Sequence, residues 1–518
     1  MKRPLTPLTL IAGLSGLIYL LIFTLPFPLT RLYSTIPPVD YAKLTRHAPA
    51  GFIAYVGGVA LLFGLYGWAF RLTALSSPGA QPSTVGGRFI LLSSACLAAL
   101  SIPTYPLTAI DLFIYAIRTR GWGLYGFNPL ATAPDALPAH DPWLGLAAEW
   151  VDAPSPYGPL WEWLSLAAFH LSGGDFLAHL LILKVIAALA YVGCVWLVYR
   201  IMRQLRPEWA VAGALAFAWS PLALLESVQN GHNDIIMVFF LLAAVGVMTR
   251  PIDETVNKSS SPIRSFAIRH SLPALPSPLT QTVFVSLFLA LSILVKFVTI
   301  LVVPFFWLAL AAPQPTSQRR VGVVGFSALL IGLIVALPMW PLWPGWENWA
   351  VLTAGSQAGR SLLALLILGL RDILGLSRAF DLSRNAILVI FGLIYLYYLW
   401  TSFRQAKSAP AARLACSPTF YVFFWYVLLV APVFHAWYLL WFVPLAPLLL
   451  PNRRPLRAST VFSLTALLII PYFEIVRVWY PALLQNQFIG HLIGVPLLIG
   501  PPMLALFWPV DHSANSKQ

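Results

Sequence analysis

The sequence predicts an all-α polytopic membrane protein. Of its 518 residues, 59% are hydrophobic and only 10% are charged, and its mean hydropathy is +0.78. A chain of this composition cannot shield its apolar surface from water by folding on itself. Apolar stretches long enough to cross about 30 Å of hydrocarbon recur from residue 8 to residue 508. The lipid bilayer is therefore the predicted environment of most of the chain.

These apolar stretches predict about 12 to 14 membrane-spanning helices. The first is interpreted as a retained span, because its apolar run exceeds about 20 residues and no small-residue cleavage site follows it. The individual spans are predicted at residues 8–29, 51–70, 88–106, 176–199, 209–227, 233–249, 281–295, 297–311, 321–342, 385–403, 418–434, 437–450, 458–476 and 488–508. The short stretch 159–173 and the stretch 359–376, which contains Arg371 and Asp372, are predicted to lie flat as interfacial helices.

The basic residues predict the orientation of these spans. The net charge of +14 comes from short basic runs between apolar segments. With the N-terminus in the cytoplasm, about two thirds of the basic residues fall on the cytoplasmic side, as the positive-inside rule requires. Charge arranged in this way serves membrane orientation rather than nucleic-acid binding. The lipid bilayer is an expected partner, and nucleic acid is not.

The chain is predicted to divide into four parts. Residues 1–106 form N-terminal transmembrane helices, and residues 107–249 hold a long hydrophilic loop followed by further helices. Residues 250–280 are basic, rich in Ser and Pro and without apolar periodicity, which is typical of a cytoplasmic linker. Residues 281–518 form a C-terminal transmembrane bundle.

The longest hydrophilic stretch runs from Thr104 to Pro159 and faces the non-cytoplasmic side in this topology. Its acidic residues outnumber Arg118 and Arg120, and it is rich in aromatic residues. Carboxylates beside aromatic rings are a common way to hold sugars, because rings stack on C–H faces while carboxylates accept hydroxyl hydrogen bonds. An aromatic belt at the membrane interface has the same residue types, so both interpretations remain open.

Three further polar clusters fall at the ends of spans on the same face. They are NGHND at residues 230–234 with Glu226 before it, Lys296 at the tip of a hairpin over 281–311, and HAWY at residues 435–438. Ionisable groups at membrane depth are costly and rarely without a role. A solvated turn, a snorkelling lysine and an aromatic belt are the respective structural alternatives. Because all the clusters share one face, a site fixed on that side is favoured over alternating access.

These residues resemble motifs of the integral-membrane glycosyltransferases of the GT-C superfamily, and among them of bacterial polyprenyl-phosphate-mannose-dependent α-mannosyltransferases. The resemblance covers roughly residues 100–450. It rests, in this order, on IDLFIYAIRTRGWGLYGFNPL, SPYGPLW, NGHND, LVKFVTILVVP and HAWYLLW. It implies a GT-C-like bundle whose large first non-cytoplasmic loop is catalytic and contains interfacial helices.

The same resemblance implies roles for individual residues. Asp111 would be the catalytic carboxylate, but no second acid sits beside it as in families with paired acids, so Asp141 and Asp152 stay open as rival bases. The donor phosphate would be bound by Lys296, Arg118 and His435. The sugar or acceptor would be bound by Tyr115, Asn128, Asp152, Tyr157, Trp161, Asn230, His232, Asn233, Asp234, Trp437 and Tyr438.

The implied function is transfer of a sugar from a polyprenyl-phosphate donor to a glycan or lipid acceptor on the outer face of a bacterial plasma membrane. Mannose follows from the resemblance alone. Because polyprenyl phosphate is a good leaving group, a base and neutralising cations suffice, and a single displacement predicts inversion. No metal cofactor is expected, with Mg²⁺ or Mn²⁺ left open. A polytopic transporter or lipid flippase is the alternative, because it also shows many spans and intramembrane charges.

Overall fold

A computed structural model of the chain describes residues 5–75, 84–147, 150–250, 277–346 and 358–509. Within these ranges the chain is almost entirely helical, and its β-structure consists of two isolated bridges. The prediction of an all-α protein is confirmed.

Ten helices in the described residues are long and apolar enough to cross a membrane. They are Thr6–Thr24, Pro49–Ala74, Thr84–Ser101, Phe176–Leu205, Pro278–Val295, Ser317–Leu342, Leu376–Gln405, Ala411–Val430, Arg453–Trp479 and Gln487–Phe507. Pro207–Ala218 and Pro221–Gln229, which meet at a bend of 55°, pass the same criterion together. Three shorter apolar helices, Asp234–Met248, Phe297–Ala311 and Ala436–Leu449, lie at the remaining predicted spans. The protein is a multi-pass integral membrane protein, as predicted.

The α-helices of the described residues are numbered in chain order. They are α1 (Leu5–Ile18), α2 (Leu29–Leu32), α3 (Tyr41–Leu44), α4 (Pro49–Leu75), α5 (Thr84–Ser101), α6 (Asp111–Tyr125), α7 (Pro159–Leu171), α8 (Phe176–Leu205), α9 (Ala210–Ala218), α10 (Pro221–Leu224), α11 (Asp234–Met248), α12 (Pro278–Val295), α13 (Val303–Ala311), α14 (Ser317–Met339), α15 (Leu362–Leu374), α16 (Leu376–Gln405), α17 (Ala411–Trp425), α18 (Arg453–Pro471), α19 (Arg477–Trp479), α20 (Pro481–Leu484) and α21 (Gln487–Phe507). Short 3₁₀ or π-helical segments extend or join them at Tyr19–Thr24, Pro134–Ala136, Leu144–Leu146, Pro207–Trp209, Leu225–Gln229, Phe297–Val302, Trp340–Leu342, Tyr426–Val430, Ala436–Trp441, Ala446–Leu449 and Tyr472–Val476.

One apolar core joins helices from both ends of the chain. It extends from Leu8 to Leu506 and includes residues of each predicted transmembrane part. A hydrogen bond from the Tyr55 hydroxyl to the Leu467 carbonyl, 3.3 Å long, links two distant segments inside it. Between membrane helices a side-chain bond of this kind contributes about 0.6 kcal/mol. The division into four parts stays a prediction, and residues 251–276 of the linker lie outside the described residues.

The two stretches predicted as interfacial helices are helices too short to span a bilayer. They form α7 and α15, with 13 residues each. A helix of that length covers about 20 Å, against roughly 30 Å of hydrocarbon. A third short helix, α6, lies within the long hydrophilic loop. It packs against α7, which follows the loop. The described part of the loop thus contains one α-helix, α6, and two 3₁₀ segments, Pro134–Ala136 and Leu144–Leu146.

A turn between α10 and α11 brings the NGHND motif against α6. The turn depends on Gly231, whose φ of +78° is accessible to glycine and strained for other residues. A Cβ at Gly231 would also lie 3.0 Å from Leu112 Cδ1 of α6. The turn thus packs beside Asp111, the first residue of α6.

Gly158 allows the start of α7 to pack against the end of α12. Its N–H donates to the Val295 carbonyl at 3.0 Å, and an added Cβ would lie 2.2 Å from the Leu294 carbonyl oxygen. That oxygen belongs to the backbone and cannot swing aside as a side chain can. Because Tyr157 and Lys296 are the adjacent residues of the two segments, the contact also sets their relative position.

We expect Gly158→Ala to destabilise the protein by at least about 1–3 kcal/mol, because overpacking here forces the backbone to move. The apparent melting temperature of the purified protein in detergent, taken at a fixed scan rate, measures the effect. Gly57→Ala is the matched control, since no heavy atom lies within 4 Å of an added Cβ in α4. Equal melting temperatures for Gly158→Ala and the wild type would contradict the packing argument.

Candidate functional site

The described residues enclose a cavity of about 370 Å³, within the range of small-molecule sites. Its walls come from distant parts of the chain, because the loops at one end of the bundle converge there. The ionisable and aromatic lining residues are Asp40, Tyr41, Tyr55, Asp111, Trp150, Arg360, His435, Trp437 and Glu474. Three of these, Asp111, His435 and Trp437, are site residues predicted from the sequence.

Asp111 is the carboxylate at the end of α6 that faces this cavity. It is the first residue of the helix, and its side chain is 13% exposed. A helix N-terminus stabilises a carboxylate, because the peptide dipoles place partial positive charge there. The His232 Nε2 atom lies 3.7 Å from Asp111 Oδ2. Both features favour the ionised form of Asp111.

His232 is buried behind Asp111 with oxygen acceptors beside both ring nitrogens. Its Nδ1 lies 2.8 Å from the Glu226 carbonyl oxygen and 3.4 Å from Glu226 Oε2, while Nε2 faces Asp111. Burial lowers the pKa of His232, but the Asp111 and Glu226 carboxylates raise it more, so the net shift is upward. Burial raises the pKa of Asp111, but His232 lowers it more, so the net shift is downward. Both shifts favour the imidazolium form of His232 and the carboxylate form of Asp111.

We expect this pair to make stability depend on pH. The folded pKa of Asp111 is lowered, so its contribution is present above about pH 3.9 and is lost as the pH falls through the folded pKa. The folded pKa of His232 is raised, so its contribution is present below about pH 6.5 and is lost as the pH rises through the folded pKa. The melting temperature of Asp111→Asn should therefore fall furthest below that of the wild type between about pH 4 and pH 6.5.

The control for this pH series is Asp135→Asn, which removes an exposed carboxylate from the same loop. Its melting temperature should follow the wild type at every pH. If the gap between Asp111→Asn and the wild type were the same from pH 4 to pH 9, the His232–Asp111 pair would not be the ionic pair described above.

Asn230 and Glu226 hold the backbone that leads into Asp111. The Asn230 side chain accepts from the Leu107 N–H at 3.1 Å and donates to Glu226 Oε2 at 2.8 Å. The Thr108 hydroxyl donates to Glu226 Oε1 at 3.2 Å. Both ends of the Asn230 amide are thus bound within the protein, which favours positioning of the loop over direct contact with a sugar.

Lys184 reinforces the same arrangement from inside α8. Its fully buried Nζ atom donates to the Gln229 carbonyl at 2.7 Å and to the Thr104 carbonyl. The first carbonyl precedes the NGHND motif, and the second lies in the loop before α6. The lysine side chain that interrupts this span therefore joins the two segments that carry His232 and Asp111.

Aromatic rings stack in a column beside the cavity. The Trp437 ring lies between His232 and His435, with ring centroids 4.1 Å apart on each side. The Tyr438 ring packs against the His435 ring in an edge-to-face arrangement, with ring centroids 5.2 Å apart. Burial lowers the pKa of His435 to about 3, so its ring is neutral at pH 7. His435, predicted to bind the donor phosphate, thus lines the cavity without a formal charge.

Lys296 and Asp234 form an ion pair at the other end of this column. Lys296 Nζ lies 2.7 Å from Asp234 Oδ1, which also accepts from the Trp441 indole N–H at 2.5 Å. The rings of Tyr157, Tyr438 and Trp441 surround the ammonium, with centroids 5.0–5.5 Å away. Lys296 follows the C-terminus of α12 and Asp234 begins α11, so each charge is at the helix end that stabilises it. Lys296 already has a counterion, and its binding of donor phosphate stays a prediction.

Arg118, Tyr115, Tyr157 and Trp161 pack together under the loop. The Tyr115 and Tyr157 hydroxyl groups are 3.3 Å apart, and the Trp161 ring meets Tyr115 edge-on at 5.0 Å. Arg118 Nη2 donates to the Ala153 carbonyl at 3.0 Å. In the described structure these four residues lie outside the lining of the cavity. Their predicted contacts with phosphate or sugar stay predictions.

Three other predicted binding residues also lie outside the cavity lining. The Asn128 amide donates to the Leu342 carbonyl at 3.1 Å and accepts from the Leu130 N–H at 3.0 Å, so it stabilises a turn. Asp152 is exposed on the loop. Asn233 is fully buried, and neither atom of its amide has a hydrogen-bond partner among the described residues.

Asp141, one of the rival bases, is fully engaged within the loop. Its carboxylate accepts from Arg120 Nε at 2.8–2.9 Å, from the Tyr125 hydroxyl at 2.7 Å and from the Trp143 N–H at 2.9 Å. The Arg120 guanidinium in turn lies 4.6 Å from the centroid of the Trp143 ring. Asp141 is thus a structural residue that orders the loop, and the geometry favours Asp111 as the base.

Six of the nine ionisable and aromatic residues of the cavity wall are not among the predicted site residues, namely Asp40, Tyr41, Tyr55, Trp150, Arg360 and Glu474. Arg360 falls in a stretch predicted as an interfacial helix, and Glu474 in the predicted span 458–476. The cost of a carboxylate at membrane depth is the one signal that could have identified Glu474. In the described part of the chain, no group of three His, Cys, Asp or Glu side chains is placed to hold a metal ion.

Residues 11–312 match the family described as alpha-(1->6)-mannopyranosyltransferase, N-terminal domain. The chain is similar to an alpha-(1->6)-mannopyranosyltransferase of Mycobacterium tuberculosis, with 25% identity over 159 residues, 30% of this chain and 27% of that one. It is also similar to a Mycolicibacterium smegmatis protein named as a probable alpha-(1->6)-mannopyranosyltransferase, with 24% identity over 360 residues, 66% of this chain and 62% of that one. The chain thus matches less than two thirds of the length of either relative.

Two solved structures align with most of this chain at low sequence identity. One is ArnT from Cupriavidus metallidurans in the apo state, with 12% identity, a TM-score of 0.43 and coverage of 82% of this chain and 76% of that one. The other is the archaeal oligosaccharyltransferase AglB from Archaeoglobus fulgidus, with 14% identity, a TM-score of 0.39 and coverage of 81% and 55%.

The family match covers more than half of the chain and includes Asp111, His232 and Lys296. The resemblance to mannosyltransferases that the sequence motifs indicate is thereby confirmed. The chain belongs to the alpha-(1->6)-mannopyranosyltransferase family.

Proposed function

We propose that the protein transfers a mannosyl group from a polyprenyl-phosphate donor to a glycan or lipid acceptor at the non-cytoplasmic face of a bacterial plasma membrane. Family membership supports the reaction class, and the names of both relatives support an alpha-(1->6) linkage in the product. The observation that carries the proposal is the Asp111 carboxylate, which faces a cavity of about 370 Å³ and whose Oδ2 lies 3.7 Å from His232 Nε2.

In this proposal Asp111 accepts the proton of the acceptor hydroxyl as that oxygen attacks the anomeric carbon. The new carbon–oxygen bond forms while the bond from the anomeric carbon to the phosphate oxygen breaks. Polyprenyl phosphate leaves with the bonding electron pair, and the single displacement inverts the anomeric configuration. The lowered pKa makes Asp111 a weak base, which suffices because the hydroxyl becomes strongly acidic as the new bond forms.

Transfer in this proposal needs no metal ion. A monophosphate leaving group can be stabilised by protein cations, and Arg360 places a guanidinium in the cavity wall. Asp111 has a histidine beside it rather than the second carboxylate that would help to bind Mg²⁺. Full activity in EDTA is the expected result. Activity lost in EDTA and restored by Mg²⁺ or Mn²⁺ would contradict this part of the proposal.

The experiment that tests the function uses purified protein in detergent, radiolabelled polyprenyl-phosphate mannose and a panel of oligosaccharide and lipid acceptors. Transfer of label to an acceptor supports the proposal, and an α-linked product from a β-linked donor supports inversion. A retained anomeric configuration would contradict the single displacement. If no acceptor is labelled but the protein moves labelled donor across a reconstituted vesicle membrane, a transporter or lipid flippase is supported instead.

A further inference from the structure

Arg360 is the permanent positive charge among the described residues that line the cavity. Three carboxylates, those of Asp40, Asp111 and Glu474, line the same cavity, and His435 is neutral at pH 7. An anionic ligand that enters this cavity meets net negative charge except near Arg360. Any phosphate group bound there is therefore expected to seek the guanidinium, whose donors match phosphate oxygens in pairs.

The backbone holds Arg360 in a conformation that needs support from its neighbours. Its φ of +54° is unusual for a residue with a side chain and costs about 1–3 kcal/mol. The Gly359 N–H donates to the Pro432 carbonyl at 3.1 Å, and the Phe434 N–H donates to the Gly359 carbonyl at 2.9 Å. The Arg360 N–H donates to His491 Nε2 at 3.2 Å. The protein thus fixes Arg360 beside the segment that carries His435.

The guanidinium is paired with Glu474 and remains accessible. The side chains of Arg360 and Glu474 are 36% and 24% exposed, so solvent or a ligand can reach both. Arg360 also precedes α15, whose N-cap Ser361 accepts a hydrogen bond from the Ala364 N–H at 3.1 Å. The N-terminus of this 13-residue helix adds partial positive charge next to the guanidinium. The charge on Arg360 and the orientation of α15 favour an anion at the same place.

We propose that Arg360 binds the phosphate of the polyprenyl-phosphate donor and that Glu474 is a resident counterion which the phosphate must displace. This inference rests on the proposed function and assigns the phosphate to Arg360 instead of Lys296, whose ammonium is already paired with a buried carboxylate. Glu474 then acts against donor binding. It keeps Arg360 in place while the cavity is empty and competes for the guanidinium when the donor arrives.

The competition predicts opposite effects for the two partners. Arg360→Met should weaken binding of undecaprenyl phosphate, used here as the probe, by about 10- to 100-fold, the usual value of a charged hydrogen bond. Glu474→Gln should strengthen it by about 3- to 10-fold, because the guanidinium no longer has to give up a charged partner. A gain in affinity cannot come from misfolding, so Glu474→Gln tests the idea even if Arg360→Met is unstable.

Arg477→Met is the matched control. The Arg477 guanidinium lies 5.9 Å from the centroid of the Phe473 ring, and that of Arg360 lies 5.8 Å from the same ring. Arg477 does not line the cavity in the described structure, and its Nε donates to the Leu484 carbonyl at 3.2 Å. Its removal should leave probe affinity unchanged.

The experiment measures saturable binding of undecaprenyl phosphate to the full chain in detergent. Undecaprenol is the uncharged competitor, and phosphatidylglycerol and inorganic phosphate represent other sources of the same anionic group. Competition by undecaprenyl phosphate alone, with the opposite shifts in the two variants, supports the inference. Unchanged affinity in Arg360→Met, unchanged or weaker affinity in Glu474→Gln, or equal competition by undecaprenol or phosphatidylglycerol would overturn it.

Failure of this inference is distinguishable from failure of the proposed function. If mannosyl transfer occurs and depends on Asp111, but the KM for donor is unaltered in Arg360→Met and Glu474→Gln, the function stands and the phosphate lies elsewhere. If undecaprenyl phosphate binds with the predicted changes in affinity but no acceptor is ever labelled, the phosphate site is supported and the proposed mannosyl transfer is wrong.

Discussion

Replacement of Asp111 by asparagine should lower the turnover number for mannosyl transfer by about 10²- to 10⁴-fold, the usual contribution of a general base. Asparagine keeps the size of the side chain and its ability to hydrogen-bond, but it cannot take the proton from the acceptor hydroxyl. The cavity walls and Arg360 are unchanged, so the KM for the donor should change little. Loss of kcat at nearly constant KM identifies an interaction made in the transition state.

The assay for Asp111→Asn is initial-rate kinetics at saturating acceptor, with labelled donor varied. Asp135→Asn, which removes an exposed carboxylate from the same loop, is the control and should retain wild-type turnover. If Asp111→Asn keeps its activity, the base is a different carboxylate. Asp152 would then be the loop acid to test, since Asp141 is bound on both oxygens within the protein.

Replacement of Lys296 by methionine should destabilise the protein by about 3–5 kcal/mol, because it leaves a buried carboxylate without its counterion. Asp234 is fully buried, its Oδ1 would retain the Trp441 N–H, and its Oδ2 has no hydrogen-bond partner among the described residues. Neither the aromatic rings around Lys296 nor the apolar core can stabilise an unpaired negative charge. The apparent melting temperature in detergent, at one scan rate and one pH, measures the loss.

The second half of this experiment removes both charges. Asp234→Asn/Lys296→Met should recover most of the stability, because two neutral side chains of similar size replace the pair. Asp234→Asn alone should be less damaging than Lys296→Met, since the Lys296 side chain is 14% exposed and can reach water. The double-mutant cycle gives the coupling between the two residues. If Lys296 serves chiefly to bind donor phosphate, Lys296→Met will melt like the wild type and the coupling will vanish.

The fold was largely accessible from the sequence because spanning a bilayer is a local requirement. A run of about 20 apolar residues predicts a helix without knowledge of its neighbours, since every backbone group must be satisfied within the segment. Ten predicted spans therefore reappear as long helices, and the span 209–227 reappears as two helices that meet at a bend. The spans 233–249, 297–311 and 437–450 reappear as shorter apolar helices. The apolar core that the predicted parts share was not accessible, because helix packing depends on side chains far apart in the chain.

Part of the candidate site was accessible for a related reason. Ionisable groups at the ends of spans stand out against an apolar background, and this signal identified Asp111, His232, Lys296 and His435. Their exact partners did not follow, because nothing local to Lys296 indicates that its ammonium meets Asp234. Arg360 and Glu474 were missed because neither belongs to one of the polar clusters seen in the sequence, and the two side chains meet only when their segments pack at one cavity.

The sequence by itself determined that the chain is a multi-pass helical membrane protein and that it resembles polyprenyl-phosphate-dependent mannosyltransferases, and it predicts a site around Asp111. Only the tertiary structure decided which charges face the cavity and which are already neutralised. Periodicity and hydropathy report the surroundings of single segments, whereas the ionisation and availability of a side chain depend on groups brought near it by packing. Lys296 and Arg360 carry the same formal charge in the sequence, but the fold pairs the first with the buried carboxylate of Asp234 and leaves the second accessible in the cavity wall.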